Sequence, residues 1–188
     1  MMNCCTFNTH GSRTYMILTI KPCTKDDIDD LLKVARQSYL EHYTYLWHDQ
    51  GTGYMQASFN TGKLHDELSN PNSTFFLLHD GQKFVGLIKL NINSPIAGFP
   101  ADTALELERI YFIKEASGKG LGKEAINFVL SFARQRQKTV IWLKAMDSSI
   151  AVAFYKKRGF QIINEFDLRY PNLKEEYKRM YVMSLQLS

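Results

Sequence analysis

The sequence of 188 residues has no apolar run near the roughly 18 residues that a membrane-spanning helix needs. No membrane partner is therefore expected. The first fifteen residues lack the apolar stretch of a secretory leader. The expectation is a cytoplasmic protein, with residues 1–15 a disordered tail and residues 16–188 one folded domain. Cysteine is scarce. The three present, Cys4, Cys5 and Cys23, are odd in number, two are adjacent, and no CxxC pair occurs. Neither a disulfide framework nor a zinc site is expected. The five histidines show no HExxH or HxxxH spacing, so no metal is expected. Basic tracts and aromatic–basic motifs are also missing, which leaves nucleic acid off the list of expected partners.

What is present describes a globular chain, 45% hydrophobic and 22% charged, long enough for one ordinary domain with a real core. Its charge is uneven. Residues 1–100 hold 8 Lys and Arg against 9 Asp and Glu, whereas residues 101–188 hold 15 against 10. The positive excess suits an anionic ligand in the second half.

Local patterns order the elements. "MILTIKP" (Met16–Pro22) reads as a strand closed by proline. Thr24 and Asp27 form a capping-box-like pair ahead of Ile28, Leu31, Leu32, Ala35 and Tyr39 at helical spacing. Residues 39–59 interleave rings (Tyr39, Tyr43, Tyr45, Trp47, Tyr54, Phe59) with Glu41, His42, His48 and Asp49. "TGKLHDEL" (Thr61–Leu68) reads as a short helix. Ser73–Ile92 is a hairpin about Asp80-Gly81. "TALELERIYFI" (Thr103–Ile113) and "TVIWLKAM" (Thr139–Met146) are strands, and a helix follows each. "FQIINEFD" and "MYVMSLQL" close the chain as strands. The order is that of one α/β domain, an antiparallel meander followed by a β–α–β–α–β half.

Between the fourth strand pattern and its helix lies Ser117-Gly118-Lys119-Gly120-Leu121-Gly122-Lys123. A Walker A loop needs G-x-x-x-x-G-K-[ST], but here Glu124 follows Gly122-Lys123 and Ser117 stands at the first glycine. A dinucleotide fingerprint, G-x-G-x-x-G/A, is met by Gly120–Ala125, with Asp147 about 20 residues on. Its first glycine, however, comes late after the strand, and too little chain follows for a doubly wound sheet. Glycines let backbone approach a phosphate closely, and the following helix aims its positive end at the same place.

This loop resembles the acetyl-CoA pyrophosphate loop of the GNAT superfamily of N-acetyltransferases, Q/R-x-x-G-x-G/A, with Ser117 in place of the first residue. "SSIAVAFYKKRGF" resembles the family's second signature, through Ala151, Tyr155, Gly159 and Phe160, with Ser148 where asparagine is frequent. The resemblance implies a mixed, mostly antiparallel central sheet flanked by helices, with acetyl-CoA as cofactor and no metal. It implies cofactor contacts from Ile110, Tyr111, Phe112, Ser117, Gly118, Lys119, Gly120, Leu121, Gly122, Lys123, Ser148, Tyr155 and Lys157. Transfer to an amine needs a proton acceptor, because an alkyl ammonium titrates near ~10.4. Glu106 and Glu108 stand two apart on a strand and are expected on one side with Ile110 and Phe112. Glu108 is the favoured base, with Glu106 as alternative, and the family places a general acid at Tyr155. A protein or peptide acetyltransferase and a non-catalytic acetyl-CoA-binding module remain open alternatives.

"FNTGKLHDELSNPNSTFF", "LELERIYF" and "VIWLKAMDSSIAVAFYKKRGF" are similar to bacterial spermidine/spermine acetyltransferases. That likeness implies a small-molecule amine substrate such as a polyamine. Glu41, Tyr43, Trp47, Asp49 and Tyr54 are the expected amine-binding residues, with Asp66 and Glu67 as further carboxylates and Tyr45 as a further ring. A homodimer stays open.

Overall fold

The computed structural model describes residues 18–187. The expected tail and the first two residues of the first strand pattern, Met16 and Ile17, lie outside the described residues. The elements in chain order are β1 (Leu18–Pro22), α1 (Ile28–His42), α2 (Thr52–Ser58), α3 (Thr61–Ser69), β2 (Ser73–Asp80), β3 (Lys83–Asn91), β4 (Ala104–Phe112), α4 (Leu121–Gln135), β5 (Val140–Met146), α5 (Ile150–Lys156), β6 (Gln161–Asp167) and β7 (Arg179–Gln186). The strands form one sheet in the order β1-β2-β3-β4-β5-β7-β6. Only β4 and β5 pair in parallel; the other neighbours are antiparallel.

Local chemistry accounts for most of these elements. The Thr24–Asp27 capping box forms, with the Thr24 amide donating to Asp27 Oδ2 at 2.7 Å. It closes a short 3-10 turn over Lys25–Asp27 that leads into α1. Leu31, Val34, Ala35 and Tyr39 bury one stripe of α1 against Phe75, Leu77 and Leu87. On the other sheet face, Leu121, Ala125, Ile126 and Val129 of α4 and Val152 and Tyr155 of α5 pack on Leu105, Leu107, Ile141 and Leu143. Burial of two apolar layers on one sheet is the main stabilising term. Ser149 caps α5, its hydroxyl accepting from the Ala151 amide at 3.1 Å.

The sheet is split in the middle. β4 and β5 pair only from Ala104↔Val140 to Leu107↔Leu143. Beyond that point β4 continues on β3 as far as Phe112, and β5 continues on β7 as far as Met146. The two strands part, and their facing edges lose their ladder partners. Gly86 lets β3 follow β4 closely, since a Cβ there would stand 2.3 Å from the Tyr111 carbonyl oxygen. A groove of about 590 Å³ lies elsewhere, between the loop at Ile96–Phe99 and β6–β7; its lining carries no charged side chain.

Candidate active site

The parting of β4 and β5 exposes main-chain donors. The Ile113 amide bonds the Val85 carbonyl of β3 at 3.0 Å. Strand alternation then turns the amides of Arg109 and Tyr111 toward β3, and those of Ile110 and Phe112 toward the unpaired edge. Ile110 and Phe112 therefore stand as donors where the sequence reading places them. Tyr111 does not, because its backbone faces β3. Its ring instead joins the aromatic cluster on the α1 side, 5.5 Å from Tyr43.

The glycine loop follows at once. Gly118 (φ +76°) and Gly120 (φ +84°) both take the left-handed backbone that larger residues resist. Among the described residues, no acceptor is bonded to the amides of Gly118, Lys119, Gly120, Leu121 and Gly122, and α4 has no side-chain cap. The Ser117 amide donates to the Lys114 carbonyl and the Lys123 amide to the Gly120 carbonyl, which narrows the open set by one residue at each end of the Ser117–Lys123 run. Ser117, Lys119 and Lys123 are exposed around it. Open amides at a helix start, glycine-only turns and nearby ammonium groups are the donor set that a diphosphate needs. Ser148 is exposed just ahead of α5, and Lys157 is exposed at its end.

The carboxylates on β4 are more encumbered than their spacing suggests. A β-bulge falls between Leu107 and Arg109, opposite Lys89 and Leu90, with Glu108 as the extra residue. Glu106 and Glu108 do share a face, since the Asn91 amide donates to both, at 2.9 and 2.8 Å. Ile110 and Phe112, expected beside them, lie against the opposite core. The bulge adds one residue and so inverts the alternation beyond it. Glu108 is held by Lys89 Nζ at 2.7 Å and Arg109 Nη2 at 3.2 Å. Burial pushes its pKa up, but the Arg109 and Lys89 charges outweigh burial and leave it below the ordinary value. Glu106, buried, accepts from Lys144 at 2.9 Å and from the Ser94 hydroxyl at 3.1 Å.

Tyr155 is 6% exposed, between Phe154 and Phe160. Burial, with Tyr43 adding to it, pushes the phenol well above its ordinary range, so it stays protonated.

The residues expected to hold an amine divide into two sets. Tyr43, Tyr54 and Tyr111 form a ringed wall with Tyr39 and Trp47. Trp47 is buried and donates its indole N–H to the Tyr39 hydroxyl at 2.8 Å. The carboxylates, by contrast, are engaged in the fold. Asp49 accepts from the Gly51 and Gly53 amides, both at 3.0 Å, and so starts α2. Glu41 accepts from the Lys114 amide at 2.5 Å and from Gln37 at 3.0 Å. Glu67 is buried against Lys89 and Arg109, and Asp66 is an exposed helix residue beside His65. The chain between β6 and β7 closes over this wall. The His48 amide donates to Asn172 O at 2.8 Å, the Lys174 amide to Leu46 O at 3.0 Å, and Tyr170 packs edge-on against Trp47 and Tyr54.

Residues 32–160 match the acetyltransferase (GNAT) family. This chain belongs to the GNAT family. It is an acetyl-CoA-dependent N-acetyltransferase. An uncharacterised N-acetyltransferase from Lactobacillus delbrueckii subsp. lactis is 25% identical over 144 residues, covering 76% of this chain and 83% of that protein. Among solved structures, the PaiA N-acetyltransferase of Thermoplasma acidophilum in complex with coenzyme A is similar, with a TM-score of 0.72 at 20% identity. That match covers 92% of this chain and all of the other. A spermidine N-acetyltransferase variant from Vibrio cholerae matches with a TM-score of 0.66 at 17% identity, over 90% of this chain and 93% of the other. At these identities the structural likeness concerns the fold.

Sequence reasoning foresaw an ion pair of Arg109 with a β4 carboxylate but missed its second partner Glu67, and it missed Lys89, Asn91 and Tyr170. A signal existed for the two cations. Lys89 and Arg109 interrupt the apolar runs "GLIKLNI" and "LERIYF", and a charge inside a buried strand requires a partner. The Glu41 bond suggests a further experiment. It ties the end of α1 to the residue that opens the turn into the glycine loop. Glu41→Gln is expected to weaken acetyl-CoA binding about threefold to tenfold, the scale of one charge-assisted hydrogen bond. Isothermal titration calorimetry would measure this, and unchanged affinity would return Glu41 to the list of amine ligands.

Proposed function

We propose that the acceptor is the primary amine of a small molecule, and within that class a polyamine. The observation that carries this reading is the tyrosine-lined wall strapped by the β6–β7 chain. Backbone bonds from His48 to Asn172 and from Lys174 to Leu46 close the side on which an extended peptide would need an open groove. Ring faces attract ammonium groups, and Tyr43, Tyr54, Tyr111 and Tyr170 supply them. With Asp49, Glu67 and Glu41 committed to other partners, recognition of cationic amines falls to these rings. The resemblance of three stretches to polyamine acetyltransferases supports the same class.

Bound acetyl-CoA supplies an acetyl thioester, from which attack by a neutral amine forms the amide and releases the thiolate. The Ile110 and Phe112 amides hold and polarise groups along the free β4 edge. The Gly118–Gly122 amides anchor the diphosphate. Tyr155 donates its proton to the leaving sulfur and recovers one from solvent. Glu108, held ionised, accepts a hydrogen bond from the amine or an intervening water and relays its proton outward; its low basicity keeps it from storing that proton. A pool of polyamines, amino acids and peptides, incubated with the enzyme and acetyl-CoA and read by mass spectrometry, tests the acceptor. Acetylated polyamines are expected to dominate, and acetylation of peptide amines alone would sink the reading.

A further inference from the structure

Behind the cofactor edge runs a buried chain of charge that acetyl transfer does not consume. Glu67 of α3 binds Arg109 through two parallel bonds, 3.0 and 3.2 Å. Its Oε1 also accepts from Lys89 Nζ at 2.9 Å, while Lys63 lies 3.6 Å away at the surface. Lys89 and Arg109 are in turn two of the three donors on Glu108; the third is Asn91. Lys89 and Glu67 are both more than nine-tenths buried. Two buried cations thus meet two carboxylates, and the charge balances inside the cluster. The cluster sits on the residue that makes the bulge.

We propose that Glu67 is a positioning residue for acetyl-CoA: through Lys89 and Arg109 it pins Glu108 at the bulge, and so sets where the free amides of Ile110 and Phe112 stand. The argument is geometric. A bulge gives one strand an extra residue whose conformation its ladder does not fix. Here three side-chain donors fix it, and Glu67 holds two of them. Without that carboxylate, two desolvated cations compete for Glu108 alone, a cost that buried charge does not tolerate without rearrangement. Rearrangement at Glu108 passes directly to Arg109 and Ile110 along the chain. The α4 loop, anchored through its own core contacts, does not move with it.

The inference rests on the reading that the Ile110 and Phe112 amides bind the pantetheine part of acetyl-CoA. Calorimetry with two ligands, acetyl-CoA and its nucleotide half adenosine 3′-phosphate 5′-diphosphate, separates the two claims. Glu67→Gln is expected to weaken acetyl-CoA binding about tenfold and to leave the nucleotide half within twofold of the parent. Glu67→Asp, which keeps the charge and shortens the reach, is expected to show a smaller loss confined to acetyl-CoA, and it decides the matter should Glu67→Gln not fold. Parent-like affinity in both Glu67 variants, or equal weakening of both ligands, overturns the role of Glu67. Ile110→Pro removes a cleft-facing donor without touching the β3 ladder. If it leaves acetyl-CoA affinity unchanged, the reading of the β4 edge fails; if it weakens binding and the Glu67 variants do not, only the present inference fails.

Discussion

Replacing Gly120 by valine is expected to weaken acetyl-CoA binding at least a hundredfold while the protein stays folded. Gly120 holds φ at +84° and sits immediately before α4. A β-branched residue there is strained by about 1–3 kcal/mol, and the chain relieves the strain by turning its peptide planes. Those planes carry the open amides of Gly118–Gly122. The added side chain also projects into open space, since a Cβ at this position meets nothing within 4 Å. That space is where a diphosphate must come to reach the amides. Lost donors and a blocked approach together account for about 2.8 kcal/mol, a factor of one hundred. The helix survives because Leu121, Ala125, Ile126 and Val129 bury its inner face. Gly98 is the control: it has the same φ and equally open surroundings, but lies in the β3–β4 loop. Gly98→Val should bind acetyl-CoA as the parent does. Calorimetry on both variants, with circular dichroism for helix content, checks the expectation; a Gly120→Val dissociation constant within threefold of the parent would refute it.

Tyr155→Phe carries the second large effect. Its kcat is expected to fall about a hundredfold, the lower part of the range for a lost acid–base group, with acetyl-CoA affinity and melting temperature nearly unchanged. The ring belongs to the core between Phe154 and Phe160, and phenylalanine keeps that packing. Removal of the hydroxyl alone is therefore expected to register in catalysis and not in packing. The sign of the pH dependence follows from the environment. Burial disfavours the phenolate and raises the pKa above its ordinary value near ~10. The proton donor is therefore intact throughout the neutral and mildly alkaline range, and kcat should show no descending limb from Tyr155 below about pH 10. Unchanged kcat in Tyr155→Phe, measured by release of free thiol, would remove Tyr155 from the mechanism.

Much of the architecture was legible because it is written in short windows. The Thr24–Asp27 box, the hairpin about Gly81 and the stripe of α4 each depend on residues a few positions apart. The two family signatures are equally local, and their glycines do what glycine alone does easily. The exceptions have physical causes. Helix α2 escaped notice because "TGYMQAS" is a weak helix former containing glycine; it starts because Asp49 takes up two of its first amides. The β4 strand was placed correctly and Glu106 and Glu108 share a face as expected, but Ile110 and Phe112 lie on the other face, because a bulge is decided by the neighbouring strand as much as by its own residues. Glu41 and Asp49 were read as free acids on an aromatic segment. Glu41 is taken up by the Lys114 amide, 73 residues away, and Asp49 by the local Gly51 and Gly53 amides with Asn172 added from 123 residues away.

The sequence by itself determined the order of the strands and the glycine turn, and its resemblance to a family pointed to the cofactor. Backbone conformation and helix starts answer to near neighbours, and those are visible in a string of letters. Only the tertiary structure decided which charges remain available. It committed Glu108 and Glu67 to Lys89 and Arg109 and Glu106 to the exposed Lys144, turned Tyr111 to the aromatic wall, and strapped that wall with the β6–β7 chain. A side chain's ionisation and reach depend on what stands within a few ångströms of it, and folding alone brings those groups together.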